Sequence, residues 1–252
     1  MTESIPAYIE ARIRQPIPAD SFVVANSTPV LAFGRMREAR VASVGLNPSK
    51  NEFLGRNGNL LVGAEQRLAT LPDLGVTRLT DAPASTMSAV FAACNGYFAR
   101  NPYRRWFDQL ERILLPLGAS FYAGSACHLD LVQWATDPVW RALPRTVIAR
   151  LVAADREFLR HQLSDEHIRV VLLNGIGVIR AFAAAFNCTL HQLPTPLSDR
   201  TVTTQIVHGR AFNDVLILGW STNLQSSVGV TNVLRERIAH TVAKLAAQAN
   251  VL

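Results

Sequence analysis

The segment Arg40-Val41-Ala42-Ser43-Val44-Gly45-Leu46-Asn47-Pro48-Ser49-Lys50-Asn51-Glu52-Phe53 changes character in its middle. Val41 to Leu46 is a short apolar run of the kind that forms a buried strand. Pro48 has no N–H and ends ladder pairing, so the chain leaves the sheet at Asn47. In open α/β sheets, ligands bind outside the carboxyl ends of the strands. A polar side chain at such an exit is therefore the first candidate for chemistry.

Working outward, Tyr8 to Arg14 reads as a short helix stopped by Pro16 and Pro18, within an N-terminal arm over residues 1–28. After the exit, Asn51 to Gly63 is rich in Asn and Gly and reads as a loop across the strand end. Helices are expected over Ala64 to Leu71 and Ser85 to Phe98. Asn101-Pro102 reads as a helix start, with Trp106, Phe107, Leu110, Ile113 and Leu114 as its buried stripe and Gly118 as its stop. Ser120 to Ala126 reads as a second strand emerging at Cys127-His128-Leu129-Asp130. A helix from Pro144 through Leu163 precedes a third strand, Arg169 to Leu173. Gly175-Ile176-Gly177 lacks the third glycine of a dinucleotide fingerprint, with Arg180 in its place, and the chain contains no Walker-type loop. A helix from Val178 to Phe186, an extended segment from Thr201 to Val207, a turn at Asn213-Asp214 and a strand from Val215 to Gly219 follow. That strand empties into Trp220-Ser221-Thr222-Asn223-Leu224-Gln225-Ser226-Ser227, and Thr231 caps a terminal helix.

With 252 residues, 49% hydrophobic and 17% charged, the chain can bury a full core and reads as one domain over 1–252. No apolar run approaches the ~20 residues that span a bilayer, and the N-terminus lacks a signal-peptide core. A cytoplasmic protein is expected. Cys94, Cys127 and Cys188 are odd in number and lack Cys-x-x-Cys spacing, which fits reduced thiols without zinc or an iron–sulfur cluster. Neither a metal nor another cofactor is expected. A net charge of +6 and a pI near 9.8 favour a polyanionic partner, although a solvated basic surface explains the same numbers. Arginine dominates this charge, Lys50 and Lys244 being the only lysines.

Gly45-Leu46-Asn47-Pro48-Ser49 resembles the first motif of the uracil-DNA glycosylase superfamily, which lies at the end of its first core strand. The helix start at Asn101-Pro102-Tyr103-Arg104-Arg105-Trp106, the strand ending at His128 and the hydroxyl-rich segment Trp220 to Ser227 extend the resemblance from about Pro29 to the C-terminus. It implies a three-layer α/β/α sandwich around a central, mostly parallel four-stranded sheet. It also implies a monofunctional DNA glycosylase, monomeric, with DNA as partner and no membrane or protein partner. Asn47 would orient the attacking water, and His128 would meet charge on the leaving base. Base contacts fall on Leu46, Phe53, Asp130, Asn174 and Trp220, with Phe53 either stacking on the base or anchoring its loop. DNA contacts fall on Ser49, Lys50, Ser221, Thr222, Asn223, Leu224, Gln225 and Ser226, with Leu224 as the wedge that holds the base out of the duplex.

The sequence departs from uracil readers at two places. His128 replaces their asparagine, and the late segment lacks their histidine and prolines. Asp130, two residues on, accepts hydrogen bonds only, which suits the exocyclic amine of a cytosine better than a uracil carbonyl. A modified cytosine, such as a glucosylated hydroxymethylcytosine of phage DNA, is the sharper expectation. A uracil or mismatch glycosylase, a non-catalytic damage-binding module and a hydrolase of free nucleosides remain open alternatives.

Overall fold

The computed structural model describes residues 5–165, 167–200, 202–225 and 229–252. Among the described residues, helices α1 (Ala7–Arg14), α2 (Ala84–Asn95), α3 (Arg104–Leu114), α4 (Arg145–Asp165), α5 (Ile176–Phe186) and α6 (Asn232–Gln248) are interspersed with eight strands. These are β1 (Val41–Gly45), β2 (Ala126–Asp130), β3 (Val170–Asn174), β4 (His191–Gln192), β5 (Leu197–Asp199), β6 (Val202–Thr204), β7 (Ile206–Ala211) and β8 (Val215–Trp220). The fold is α/β. The chain divides into two compact units. One comprises Met1–Gly34, Leu46–Pro102 and Asp130–His161; the other comprises Arg35–Gly45, Tyr103–Leu129 and Gln162–Leu252. No helix among the described residues is long and apolar enough to cross a membrane.

The second unit carries the sheet, ordered β2-β1-β3-β8-β7-β4. β1 pairs with β3 in parallel from Val41↔Val170 to Val44↔Leu173, and β3 pairs with β8 in parallel from Val170↔Leu216 to Asn174↔Trp220. Every residue of these three strands is buried, which explains why they read as largely apolar runs. The sheet has six strands and is mixed, not the four-stranded, mostly parallel sheet expected. β7 turns back on β8, and β4 on β7, both antiparallel. The reversal is local: Phe212, Asn213 and Asp214 all take positive φ, the conformation a tight hairpin requires. A separate antiparallel pair, β5 and β6, stands outside this sheet.

Three further boundaries differ from expectation. The strand placed at Ser120 to Ala126 begins only at Ala126, because Ser120 to Gly124 form a turn. The Glu111 carboxylate accepts from Ser120 Oγ at 2.5 Å and from the Phe121 amide at 2.9 Å, holding that turn closed. His128 and Asp130 consequently lie within β2 rather than beyond it. Helix α3 starts at Arg104 with no side-chain cap; Asn101 instead donates to the Glu65 carbonyl at 3.0 Å. Only a single 3-10 turn, Gly63–Glu65, forms where a helix over Ala64 to Leu71 was expected, and Thr70 makes an isolated bridge with Ser27. Thr231 does cap α6, accepting from the Leu234 amide at 3.1 Å.

The first unit is built around the segment that follows β2. Its backbone is taken up on one side by Val30 N–H to the Gln133 carbonyl, Val24 N–H to that of Ala135, and Asp137 N–H to that of Phe22, at 2.8 to 2.9 Å. Val132 N–H donates to the Leu46 carbonyl at 3.0 Å, and Ser49 bridges to Thr136. Helix α1, expected in a packed arm, is part of this core: Ile9 and Ile13 are fully enclosed. Arg12 is buried with them. Its Nη2 lies 2.9 Å from Asp155 Oδ2, its Nε donates to Gln133 Oε1 at 3.1 Å, and its guanidinium sits 5.0 Å from the centre of the Trp134 ring.

Candidate functional site

In the first unit, the chain after β1 passes Leu46 and reaches Asn47, both half-buried. Asn47 Nδ2 donates to the Trp134 carbonyl and to Thr136 Oγ1, each at 3.1 Å. A carbonyl can only accept, so this pairing fixes which end of the amide is nitrogen. Both N–H bonds are committed, and Oδ1 receives no donor among the described residues. The amide therefore offers an oriented acceptor whose position is set by the segment from Val132 to Thr136.

The residues after Asn47 make a tight turn. Ser49 Oγ accepts from the Asn51 amide at 3.2 Å, opening a 3-10 turn over Lys50–Glu52. Lys50 Nζ is 2.8 Å from Asp137 Oδ1, with both side chains about half exposed, so its charge is already met. Phe53 is 0% exposed. Of its two expected roles, the loop anchor describes its position, because a fully enclosed ring has no face to offer a base.

Glu52 is a buried carboxyl beside this turn that sequence reading did not single out. It is 3% exposed, and Tyr97 Oη donates to its Oε2 at 2.7 Å. Burial is the main cause that raises its pKa to about 7, reinforced by the negative charge of Asp130 and opposed by the Tyr97 hydrogen bond and the charge of Arg67. The available sequence signal was Ser49-x-x-Glu52, which pointed to a turn start but not to an inward carboxyl. A carboxyl whose folded pKa exceeds its ordinary 4.5 favours folding when protonated. Its contribution is full below about pH 4.5 and is lost as pH rises through about 7. At one pH unit per 1.4 kcal/mol, that loss is roughly 3 kcal/mol. Glu52→Gln is expected to flatten this part of the stability profile in urea titrations between pH 4.5 and 8; an unchanged slope would assign the titration elsewhere.

In the second unit, β1, β3 and β8 finish at one sheet edge, where Asn174 and Trp220 are register partners. Both were expected in or beside loops, and both are instead the last residues of their strands. Asn174 is the hub of this edge. Its Oδ1 accepts from Trp220 Nε1 at 2.7 Å and from the Leu224 amide at 3.0 Å. Its Nδ2 donates to Asn223 Oδ1 at 3.2 Å and to Gln225 Oε1. Gly175 follows with φ +99, and a Cβ there would meet Asn223 Cβ at 3.4 Å, so this crossing needs glycine.

The described part of the expected DNA-contacting segment, Ser221 to Gln225, is thus tied into the sheet. Ser221 Oγ accepts from the Gln205 amide at 2.9 Å, and the Thr222 amide donates to Thr204 Oγ1 at 3.1 Å. Gln225 Nε2 donates to the Trp106 carbonyl at 3.1 Å. Trp220 is fully buried and Leu224 is 1% exposed; neither projects in this conformation, because the Asn174 amide draws both inward. Ser226 lies outside the described residues.

His128, expected at an open strand end, is 3% exposed. Its Nδ1 is 2.7 Å from Ser43 Oγ, and its ring meets Trp106 and Phe107 edge-on at 4.7 and 5.6 Å. It fastens β2 to β1 and to α3. Asp130 is also 3% exposed, and its backbone carbonyl accepts from Gln133 Nε2 at 2.7 Å. Cys94 and Cys127 are buried, and burial raises the Cys94 thiol to about 11, far from nucleophilic use. Among the described residues, no three His, Cys, Asp or Glu side chains are grouped to hold a metal. No family model matches the chain, and no curated protein matches it in sequence.

Proposed function

We propose that this protein is a cytoplasmic DNA glycosylase of the uracil-DNA glycosylase type, built on a three-layer α/β/α sandwich. It hydrolyses the bond between deoxyribose and an extruded, cytosine-derived base, with glucosylated hydroxymethylcytosine of phage DNA as the sharpest candidate. The observation that carries this reading is the Asn47 amide, whose nitrogen is held by Trp134 and Thr136 and whose oxygen is left to receive a hydrogen bond. A water bound to that oxygen is oriented but not deprotonated, since an amide is a very weak base. The route suited to such a group is dissociative. The base leaves with the electron pair of the glycosidic bond, positive charge builds at C1′, and the water adds there and then sheds its proton. Unstacking the nucleotide costs a few kcal/mol before chemistry begins. The net charge of +6 supports a polyanionic substrate. The acceptor-only chemistry of Asp130, two residues after His128 in sequence, is compatible with an amine-bearing base, although its side chain is buried here. The pairing of Lys50 with Asp137 supports hydrolysis without a Schiff base.

A second reading, hydrolysis of free nucleosides, is favoured by Leu224, whose burial leaves no wedge in place. Incubation with duplex and single-stranded DNA bearing uracil, hypoxanthine, hydroxymethylcytosine or glucosylated hydroxymethylcytosine, and with the matching nucleosides, tests both readings by mass spectrometry of released bases. Release of a cytosine-derived base from DNA is the expected result. Release from nucleosides alone selects the second reading. Binding of modified DNA with no base released from any substrate would overturn both in favour of a non-catalytic module.

A further inference from the structure

Within the second unit, a cleft of about 480 Å³ opens among Tyr103, Arg105, Trp106 and Gln109 of the α3 region, Gln225, and Arg235 of α6. We propose that this cleft binds a nucleotide, gripping its phosphate with Arg105 and Arg235 and its base against the Trp106 and Tyr103 rings. The volume suits such a ligand, since small-molecule sites run from about 300 to 1,000 Å³.

The electrostatics point to an anion. Arg105, Gln109 and Arg112 recur at helical spacing along one stripe of α3. Across from them, Asn232 Oδ1 accepts from Arg112 Nη1 at 2.9 Å and from Arg235 Nη1 at 3.2 Å. Two guanidinium groups therefore share one neutral acceptor, to which Arg235 Nη2 adds only the neutral Leu224 carbonyl at 3.4 Å. No carboxylate lines the cleft, and none of the three arginines has an ion-pair partner among the described residues. Burial first, and Arg112 second, lower the pKa of Arg235, and its Nε is buried without an acceptor among the described residues. A phosphate would supply the missing negative charge and suits the guanidinium fork. The Trp106 ring is fixed edge-on against Phe107 and His128, both at 4.7 Å, so it is a preorganised platform. Base stacking on such a ring is worth about 1 to 3 kcal/mol.

The phosphate-bearing unit can be a free nucleotide or one residue of a DNA strand. Binding requires no bond cleavage, so this proposal stands or falls separately from glycosidic hydrolysis. Calorimetric titration of the full chain at low salt with thymidine 5′-monophosphate, thymidine, inorganic phosphate and a pentathymidylate separates the cases. The monophosphate and the pentamer are expected to bind, with thymidine and inorganic phosphate each at least tenfold weaker. Comparable affinity for monophosphate and pentamer identifies a free-nucleotide site, whereas binding of the pentamer alone identifies a strand site. Arg105→Gln, at an exposed position, and Arg235→Gln should each weaken the phosphate-bearing probe at least tenfold, while Arg180→Gln on α5 should not. Unchanged binding in both cleft variants, or thymidine or inorganic phosphate binding as tightly as the monophosphate, would overturn the proposal.

Discussion

Asn47→Ala is expected to lower abasic-site formation at least 100-fold, within the range for loss of a group that handles the attacking water. The measurement is alkaline strand cleavage of whichever DNA substrate releases a base. Affinity for that DNA should change by less than about threefold, because on the proposed reading the lost atoms would orient a water and not contact a phosphate. Stability should fall by about 1 to 2 kcal/mol, since two hydrogen bonds disappear and the Trp134 carbonyl and Thr136 hydroxyl lose their donor. Asn47→Asp separates chemistry from scaffolding. It sets a carboxylate oxygen against the Trp134 carbonyl, so it should be as destabilised as the alanine variant or more. It nevertheless keeps a second oxygen, and a more basic one, for the water. Activity in the aspartate variant with none in alanine supports water orientation. Equal losses that track stability would reduce Asn47 to a brace for the segment after β2.

Arg12→Ala should destabilise the protein by about 3 to 5 kcal/mol, read from urea denaturation, because it strands Asp155 in the core. The guanidinium and carboxylate are almost wholly enclosed, at 2% and 0% exposed. Burial pushes Arg12 below its ordinary range and Asp155 above its own, and their mutual attraction opposes both shifts. Arg12 Nη1 and Asp155 Oδ1 have no hydrogen-bond partner among the described residues. The intact pair therefore adds little net stability, although breaking it is costly. The double replacement Arg12→Met with Asp155→Leu should recover most of the loss. A double variant as unstable as the single one would mean that packing around Trp134, and not the stranded charge, dominates. Asp155 Oδ2 also accepts from the Gln133 amide at 2.8 Å, so Arg12→Ala should loosen the segment that positions Asn47 and reduce activity beyond its effect on folding.

These couplings mark where the sequence was readable. β1, β3 and β8 were legible because strands buried on every residue leave largely apolar runs, broken in β1 by the polar Ser43. The α6 cap was legible because Thr231 acts on its own helix. The start of α3 was misread because Asn101 makes its bond to Glu65, 36 residues away, which no local pattern records. Phe53 and Leu224 carried no information on burial, since loops have no periodicity to say which way a side chain faces. Asn47 was legible as a candidate from its place after a strand and before Pro48. The orientation of its amide was not, because the partners lie 87 and 89 residues away. Arg12 is separated from Asp155 by 143 residues, so the partner of a helix read as part of a packed arm was not legible.

The saturated amide of Asn174 also protects one of the chain's three Asn-Gly pairs, the others being Asn57-Gly58 and Asn95-Gly96. Asn-Gly pairs are the most open to succinimide formation, in which the glycine nitrogen attacks the asparagine amide carbon and ammonia departs, because glycine has no Cβ to obstruct the approach. Here the Gly175 nitrogen donates to the Trp220 carbonyl at 2.9 Å, and the amide it would attack is held from four directions. Native folding thus shields a chemically fragile bond. Were it to deamidate, the new carboxylate would face the oxygens of Asn223 and Gln225, turning two attractive contacts repulsive and releasing the segment that follows β8.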